Sequence, residues 1–311
     1  MTLGRDITKG TGMKYAFLIV ALIVYCSTFL IAQDRIPTRR DTAMYYLSPV
    51  IINPIMAQER QTPVTFSNLT KKQIEERYTI QDIPVLLSEM PSIVSYSENG
   101  NGIGYNYINL RGFDQRRLSV MVNGIPQNDP EDHNVYWIDF PDLLASTSDI
   151  QIQRGAGSAF YGPPAIGGSI NLITTPFSMK RGVTLKSLIG FQEFGGEETE
   201  VNSSKYEASM NSGMVDNTYM FYGKLSQIRS DGYREHSWVK LNSYFMGAVR
   251  FDRDMITRLH FFGGPLTDAL SYYGLPKAVN DDLTLRRYNP SENLYELDST
   301  GRNFSYFAHR R

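Results

Sequence analysis

The chain has 311 residues, with 31 Lys and Arg against 32 Asp and Glu, and this near balance offers no general surface for nucleic acid or another polyanion. Its one cysteine excludes an intramolecular disulfide and a cysteine-built metal site, and four scattered histidines argue against a dedicated histidine metal centre. No G-x-S-x-G elbow or paired-histidine motif is present, so the chain reads as a non-enzyme with no cofactor and no bound metal.

The first legible segment is YAFLIVALIVYCSTFLIA, Tyr15 to Ala32, preceded by Lys14 and followed by polar QDRIPTRRD. A basic residue, an apolar run and a polar flank describe a cleaved secretory signal over residues 1–32, with Met13 as an alternative start. The run is also near the minimum for a spanning helix, which keeps a membrane anchor as the alternative. Bulky Tyr25 before Cys26 argues against a lipoprotein signal. Residues 33–62 then read as an extended linker holding one β-prone island, MYYLSPVII, Met44 to Ile52. Such a segment can pair as a strand with a partner or form the first strand of the next domain.

Residues 63–176 read as a compact unit of helices and short strands. Thr70 is placed to cap a helix beginning at Lys71, with Gln73 in its first turn. Asp82 is placed to cap a second, in which Ile83, Leu86, Leu87 and Met90 recur at helical spacing and Pro91 marks the end. The loop SENGNGIG leads into short strands: YNYINLRG, RLSVMVNG, DIQIQRG and GSINLITT. Leu118, Val120 and Val122 share one face by period 2, and Asn123-Gly124 supplies a hairpin turn. The glycines of RGAGSAFYGPPAIGG do not fit a phosphate cradle, because no helix follows them. They fit tight turns and close approaches between strands, where a Cβ would obstruct.

After Thr175 longer segments alternate, near 183–191, 204–214, 218–229, 238–251 and 255–263. Each approaches or exceeds the roughly 9–11 residues that cross a bilayer at a tilt. Tyr206, Phe221, Phe245 and Leu259 are expected on the lipid side, with Val239, Leu241 and Val249 on the same face as Phe245. VDN and DRD are tight turns, whereas QEFGGEETEVNS, SDGYREH and the stretch from Gly264 to about Arg302 are long and polar. Short turns at one end and long loops at the other suit an outer-membrane barrel; a soluble sheet with one wet face has the same period.

YINLRGFDQRRLSVMVNGIPQND, followed by IQIQRGAGSAFYGPPAIGGSINLIT, resembles the plug domain of TonB-dependent outer-membrane receptors. The matching pieces are Leu110 to Gly112, Val122 to Pro126, the blocks from Ile152 to Thr174, and PVTFSNLT before them; the likeness covers roughly residues 45 to 176. It implies a signal peptide, an α+β plug domain, and antiparallel transmembrane β-barrel strands over 177–311. The family's barrel has 22 strands, and the 131 residues after residue 180 suffice for about six, so an incomplete barrel and a truncated receptor are expected. The resemblance also implies an outer-membrane location and energised uptake of a scarce ligand such as an iron-siderophore, haem or cobalamin. TonB is the implied partner, pairing with Met44, Tyr45, Tyr46, Leu47, Val50, Ile51 and Ile52. Arg111 and Arg154, each before a glycine, are expected to form ion pairs between plug and barrel wall. His133, Tyr136 and Trp137 in the loop NDPEDHNVYWIDFPD are the expected ligand contacts; the acidic residues beside them fit no standard metal spacing. The alternative function is a non-transporting, exported binding or signalling module.

Overall fold

The computed structural model describes residues 65–156, 165–174, 176–193, 200–269, 271–293 and 308–310. The expected signal segment, the island at Met44 to Ile52 and much of the glycine-rich stretch lie outside them.

β1 (Thr65–Thr70) runs directly into α1 (Lys71–Arg77). The helix starts where the sequence predicts, because Gln73 Oε1 accepts from both the Thr70 N–H and its Oγ1, each at 2.9 Å. α2 (Ile83–Leu87) buries Ile83, Leu86 and Leu87, and Pro84 falls in its first turn, where no backbone donor is needed. Asp82 occupies the N-cap position, but its carboxylate makes no cap bond and turns instead to Gly104 and Asn106.

β2 (Ile93–Ser97), β3 (Asn106–Leu110) and β4 (Phe113–Asp114) form a small antiparallel sheet. β5 (Leu118–Val122), β6 (Ile125–Pro126), β7 (Asp149–Arg154) and β8 (Gly168–Ile173) join β1 in the order β1-β7-β8-β5-β6, in which β5 and β8 are parallel. The turn between β5 and β6 has φ of 53° at Asn123 and 82° at Gly124, the hairpin geometry that an Asn-Gly pair favours. β5 and β8 are buried on both faces, so the single apolar face expected of RLSVMVNG is half of the story. Gly168 supports the close-approach reading of the glycines: a Cβ there would lie 2.3 Å from the Gln153 carbonyl oxygen on the paired strand.

The second part of the chain is an antiparallel meander. β9 (Arg181–Glu193), β10 (Glu200–Ser212), β11 (Tyr219–Ser230), β12 (Val239–Phe251) and β13 (Ile256–Gly263) each pair with the next. β14 (Leu266–Ala269) continues along β12 in the same register after a break at Gly264 and Pro265, where the Pro265 carbonyl accepts from the Asn242 N–H at 3.0 Å. The stretch predicted as a loop from Gly264 therefore begins with strand, and β14 pairs in turn with β15 (Ala308–Arg310). Among the described residues no helix is long and apolar enough to cross a membrane, a statement that does not bear on strands.

One face of the meander packs on the smaller sheets and helices, and the other is bare. Val183, Leu185, Ile189, Phe191, Tyr206, Phe221 and Leu259 all lie on the exposed face, as the alternation predicts. Phe245 does not. It is 1% exposed and belongs to the main core cluster, with Val239, Leu241 and Val249 buried on the same side of β12. Its ring stacks on Phe262 at 5.9 Å, and Phe140 of the plug meets Phe262 at 6.4 Å. Period 2 is the same whichever face is covered, so alternation separated the two rows of β12 and could not say which row met the plug.

Candidate ligand cavity and contacts between plug and wall

A cavity of about 820 Å³ lies at the long-loop end of the meander. The small sheet, the loop after β2, the turn between β11 and β12 and the loop after β14 all contribute to it. Six tyrosines line it: Tyr96, Tyr107, Tyr136, Tyr233, Tyr272 and Tyr273. The rings are ordered against one another, Tyr96 stacking on Tyr107 at 4.9 Å and Tyr272 meeting Tyr273 edge-on at 5.2 Å. Arg116, Arg234 and Arg286 add positive charge and Glu98 the opposing carboxylate.

Arg234 is also the strut of this region. Its guanidinium donates to the carbonyls of Ser271 at 2.9 Å, Tyr273 at 2.8 Å and Tyr288 at 3.1 Å, which fixes the later loop against the turn after β11. Burial pushes the Glu98 carboxyl up, while the Tyr107 hydroxyl and the Arg234 charge pull the other way. Burial also raises the Tyr107 phenol, with Glu98 beside it adding to the shift. The arrangement suits a ligand with flat apolar surface and acceptor groups.

Of the residues expected at a ligand, Tyr136 lines the cavity, with its hydroxyl on Asp132 Oδ2 at 3.1 Å. His133 is exposed on the same loop, outside the cavity lining. Trp137 is corrected by the structure. A 3₁₀ turn carries its side chain into the core, where it is 3% exposed and its indole N–H donates to Gln115 Oε1 at 3.0 Å. The acidic residues of this loop build the loop itself: Asp129 Oδ1 accepts from the Glu131 N–H at 2.7 Å, and Asp132 Oδ1 from the Asn134 N–H at 2.7 Å.

A buried ionic contact joins the plug to the meander at a place other than the one expected of Arg111 and Arg154. Asp142, on the plug at φ 55°, is completely enclosed, with Lys205 of β10 against Oδ1 and Lys224 of β11 at 3.0 Å from Oδ2. The Tyr78 hydroxyl donates to Oδ1 at 2.5 Å, and the Lys205 ammonium lies 4.5 Å from the centre of the Tyr78 ring. Glu207 shares Lys205 at 3.0 Å and reaches Lys186 at 3.6 Å. Burial alone would push the Asp142 carboxyl up; Lys224 and Lys205 outweigh it and bring it down to about 2.

Arg154 is tied within the plug among the described residues, to Ser67 Oγ at 2.6 Å and the Pro91 carbonyl at 3.2 Å. Arg111 sits at φ 54° beside Gly155, close enough for its charge to act on Arg154. Among the described residues, the ion pairs that join the plug to the meander run from Lys205 and Lys224 to Asp142. The sequence signal for the cluster was the pair of ionisable residues Lys205 and Glu207 on the polar row of β10, together with Lys224 in the otherwise uncharged YMFYGKLSQ. A polar row facing water looks the same until a plug covers it.

Residues 58–169 match the family model described as TonB-dependent Receptor Plug Domain. The chain is 25% identical over 165 residues to the ferrienterobactin receptor of Escherichia coli (strain K12), covering 50% of this chain and 22% of that protein. It is 25% identical over 244 residues to the vitamin B12 transporter BtuB of Vibrio vulnificus (strain CMCP6), covering 76% of this chain and 34% of that protein. The fold is similar to the crystal structure of the ferric citrate transporter FecA in the unliganded form, with a TM-score of 0.59 at 18% identity, over 73% of this chain and 34% of that one. The chain thus spans between about a fifth and a third of the length of these relatives.

Proposed function

From a chain that carries the plug domain of TonB-dependent receptors and is homologous to those receptors, we propose that it forms the plug and first barrel strands of an outer-membrane uptake receptor. The observation that carries this reading is the two-faced meander. One face holds a plug through buried ion pairs and aromatic packing; the other presents Leu185, Ile189, Phe221 and Leu259 without cover. Bare apolar strands of 12 or 13 residues suit lipid and would be a liability in water. The remaining barrel strands of the relatives would close the sheet, since an open strand edge is not viable in a bilayer.

In this reading residues 1–32 are a cleaved signal, 33–62 a periplasmic linker, 63–176 the plug and 177–311 the start of the barrel. The short turns face the periplasm and the tyrosine-rich cavity faces outward. A ferric siderophore, haem or a cobalamin binds there and is taken up when TonB pairs with residues 44–52 and pulls on the plug. Arg111 and Arg154 form one cationic edge of the plug, and a carboxylate on a barrel strand is their proposed counterpart.

Uptake tests this directly. Cells bearing the complete receptor are given radiolabelled ferric enterobactin, ferrioxamine B or cyanocobalamin, with and without TonB. The reading expects TonB-dependent accumulation of one of these probes, and Tyr233→Ala with Tyr272→Ala to weaken its binding. Binding and uptake of none of them by a correctly inserted receptor would overturn it.

A further inference from the structure

Asp82 is the most unusual carboxylate in the plug. It is 8% exposed, and among the described residues it forms no ion pair. Its oxygen Oδ2 accepts from the Gly104 N–H at 2.8 Å and from Asn106 Nδ2 at 2.7 Å, while its own N–H donates to the Gly102 carbonyl at 3.0 Å. One residue at the head of α2 therefore grips the loop before β3 by its donor and its acceptor together. Burial pushes the carboxyl up to about 7, against the pull of those two bonds.

The gripped loop has little freedom of its own. Gly102 and Gly104 hold φ of 78° and 110°, a Cβ on Gly102 would lie 2.9 Å from Val85 of α2, and one on Gly104 would lie 2.9 Å from Val239 of β12. The same loop reaches outward. The Asn99 carbonyl accepts from the Tyr233 N–H at 2.8 Å, Asn99 Nδ2 donates to the Ser237 carbonyl at 2.5 Å, and Asn101 Nδ2 donates to Ser230 Oγ at 2.6 Å. Tyr233 and Arg234 on that turn, and Glu98 and Gly100 on the loop, line the tyrosine-rich cavity.

We propose that Asp82 is the positioning residue of the cavity, joining the helical part of the plug to the cavity wall through the chain Asp82, loop 98–106, Asn99 and turn 231–237. It touches no ligand. It sets where Glu98, Tyr233 and Arg234 stand, and it carries a displacement of α2 to them. Calling the cavity a ligand site rests on the receptor reading above; the joint itself does not.

The test is amide exchange on the complete receptor in detergent micelles without any ligand, so its outcome is independent of the uptake assay. Asp82→Ala removes the acceptor and is expected to speed exchange at Gly104, Tyr233 and Arg234 by about tenfold, while the β7 and β8 amides are unchanged. Asp82→Asn retains a side-chain acceptor without charge, and is expected to leave the same amides within about twofold of the native rates. Asn99→Ala keeps the backbone carbonyl that accepts from the Tyr233 N–H and removes the side-chain bond to the Ser237 carbonyl, so Tyr233 and Arg234 should exchange faster only through opening of turn 231–237, while Gly104 should not. If Asp82→Ala loosens β7 and β8 as well, Asn99→Ala and Asp82→Asn carry the test alone. Unchanged exchange at Tyr233 and Arg234 in both Asp82→Ala and Asn99→Ala, or Asp82→Asn that exchanges about tenfold faster than the native protein, overturns the proposal.

Discussion

Lys224 is bonded twice to Asp142: its ammonium meets the carboxylate Oδ2 at 3.0 Å and also donates to the Asp142 backbone carbonyl. A lysine from the wall thus holds both the charge and the chain of a plug residue that sits in the left-handed region, at φ 55°. A buried charge pair of this kind is weak evidence for net stability but strong evidence for position, since removing one partner strands the other.

Asp142→Leu should be severely destabilising, by about 3–5 kcal/mol, because Lys224 would be left buried without its carboxylate and Lys205 with Glu207 alone. Replacing both lysines by methionine in the same chain should recover much of the loss. Denaturant unfolding of the native protein and the two variants checks this. A lack of recovery in the triple variant would point to the hydrogen bonds, and not to charge, as the source of the cost.

Two plug carboxyls give stability opposite slopes with pH. Asp142 is held down to about 2, so its contribution is complete above the ordinary carboxylate range and is lost as the pH falls toward 2. Asp82 is raised to about 7, so its contribution is complete at low pH and is lost as the pH rises from about 4 to 7. Unfolding free energy measured from pH 2 to 8 should therefore pass through a maximum on the acid side of neutrality. Asp82→Asn should flatten the upper limb and leave the lower one intact.

Leu259 and Phe245 belong to adjacent strands and face opposite ways, 69% and 1% exposed. A tryptophan at position 259 should be quenched by brominated lipid, and one at 245 should not. Leu259→Arg should impair assembly by about 2–4 kcal/mol if the site lies near the bilayer midplane. Phe245→Ala should cost about 3–5 kcal/mol through the cavity it leaves against the plug.

Gly168→Ala should be poorly tolerated, because its Cβ would press on the Gln153 carbonyl of β7. The strands would have to part, at a cost of roughly 1–3 kcal/mol or more. At Gly182 nothing lies within 4 Å of such a Cβ, so alanine there should be close to neutral. Thermal unfolding of the two variants compares them.

If residues 44–52 are the TonB-pairing strand, as proposed, a proline at Ile51 should abolish TonB-dependent uptake by the complete receptor while ligand binding persists, because proline removes a strand donor and fixes φ. Equal loss of both would make the segment structural.

Much of the architecture was legible because it is local. The start of α1 at Lys71, the Asn123-Gly124 turn, and the rows Tyr206–Ala208–Met210 and Tyr219–Phe221 all follow from capping, φ preference and period 2, which act within a few residues. The plug motifs likewise carried the family resemblance, because a strand approach as close as that at Gly168 leaves room for no side chain. What the tertiary structure decided is which surface each row met. Phe245 faces the plug because Phe140 and Phe262 lie there, Trp137 is core because its turn points inward to Gln115, and Asp82 serves a loop 22 residues away instead of its own helix. Asp142, Lys205 and Lys224 come from a plug turn and two wall strands, and their meeting is a matter of burial and distance, neither of which is encoded at any one position in the chain.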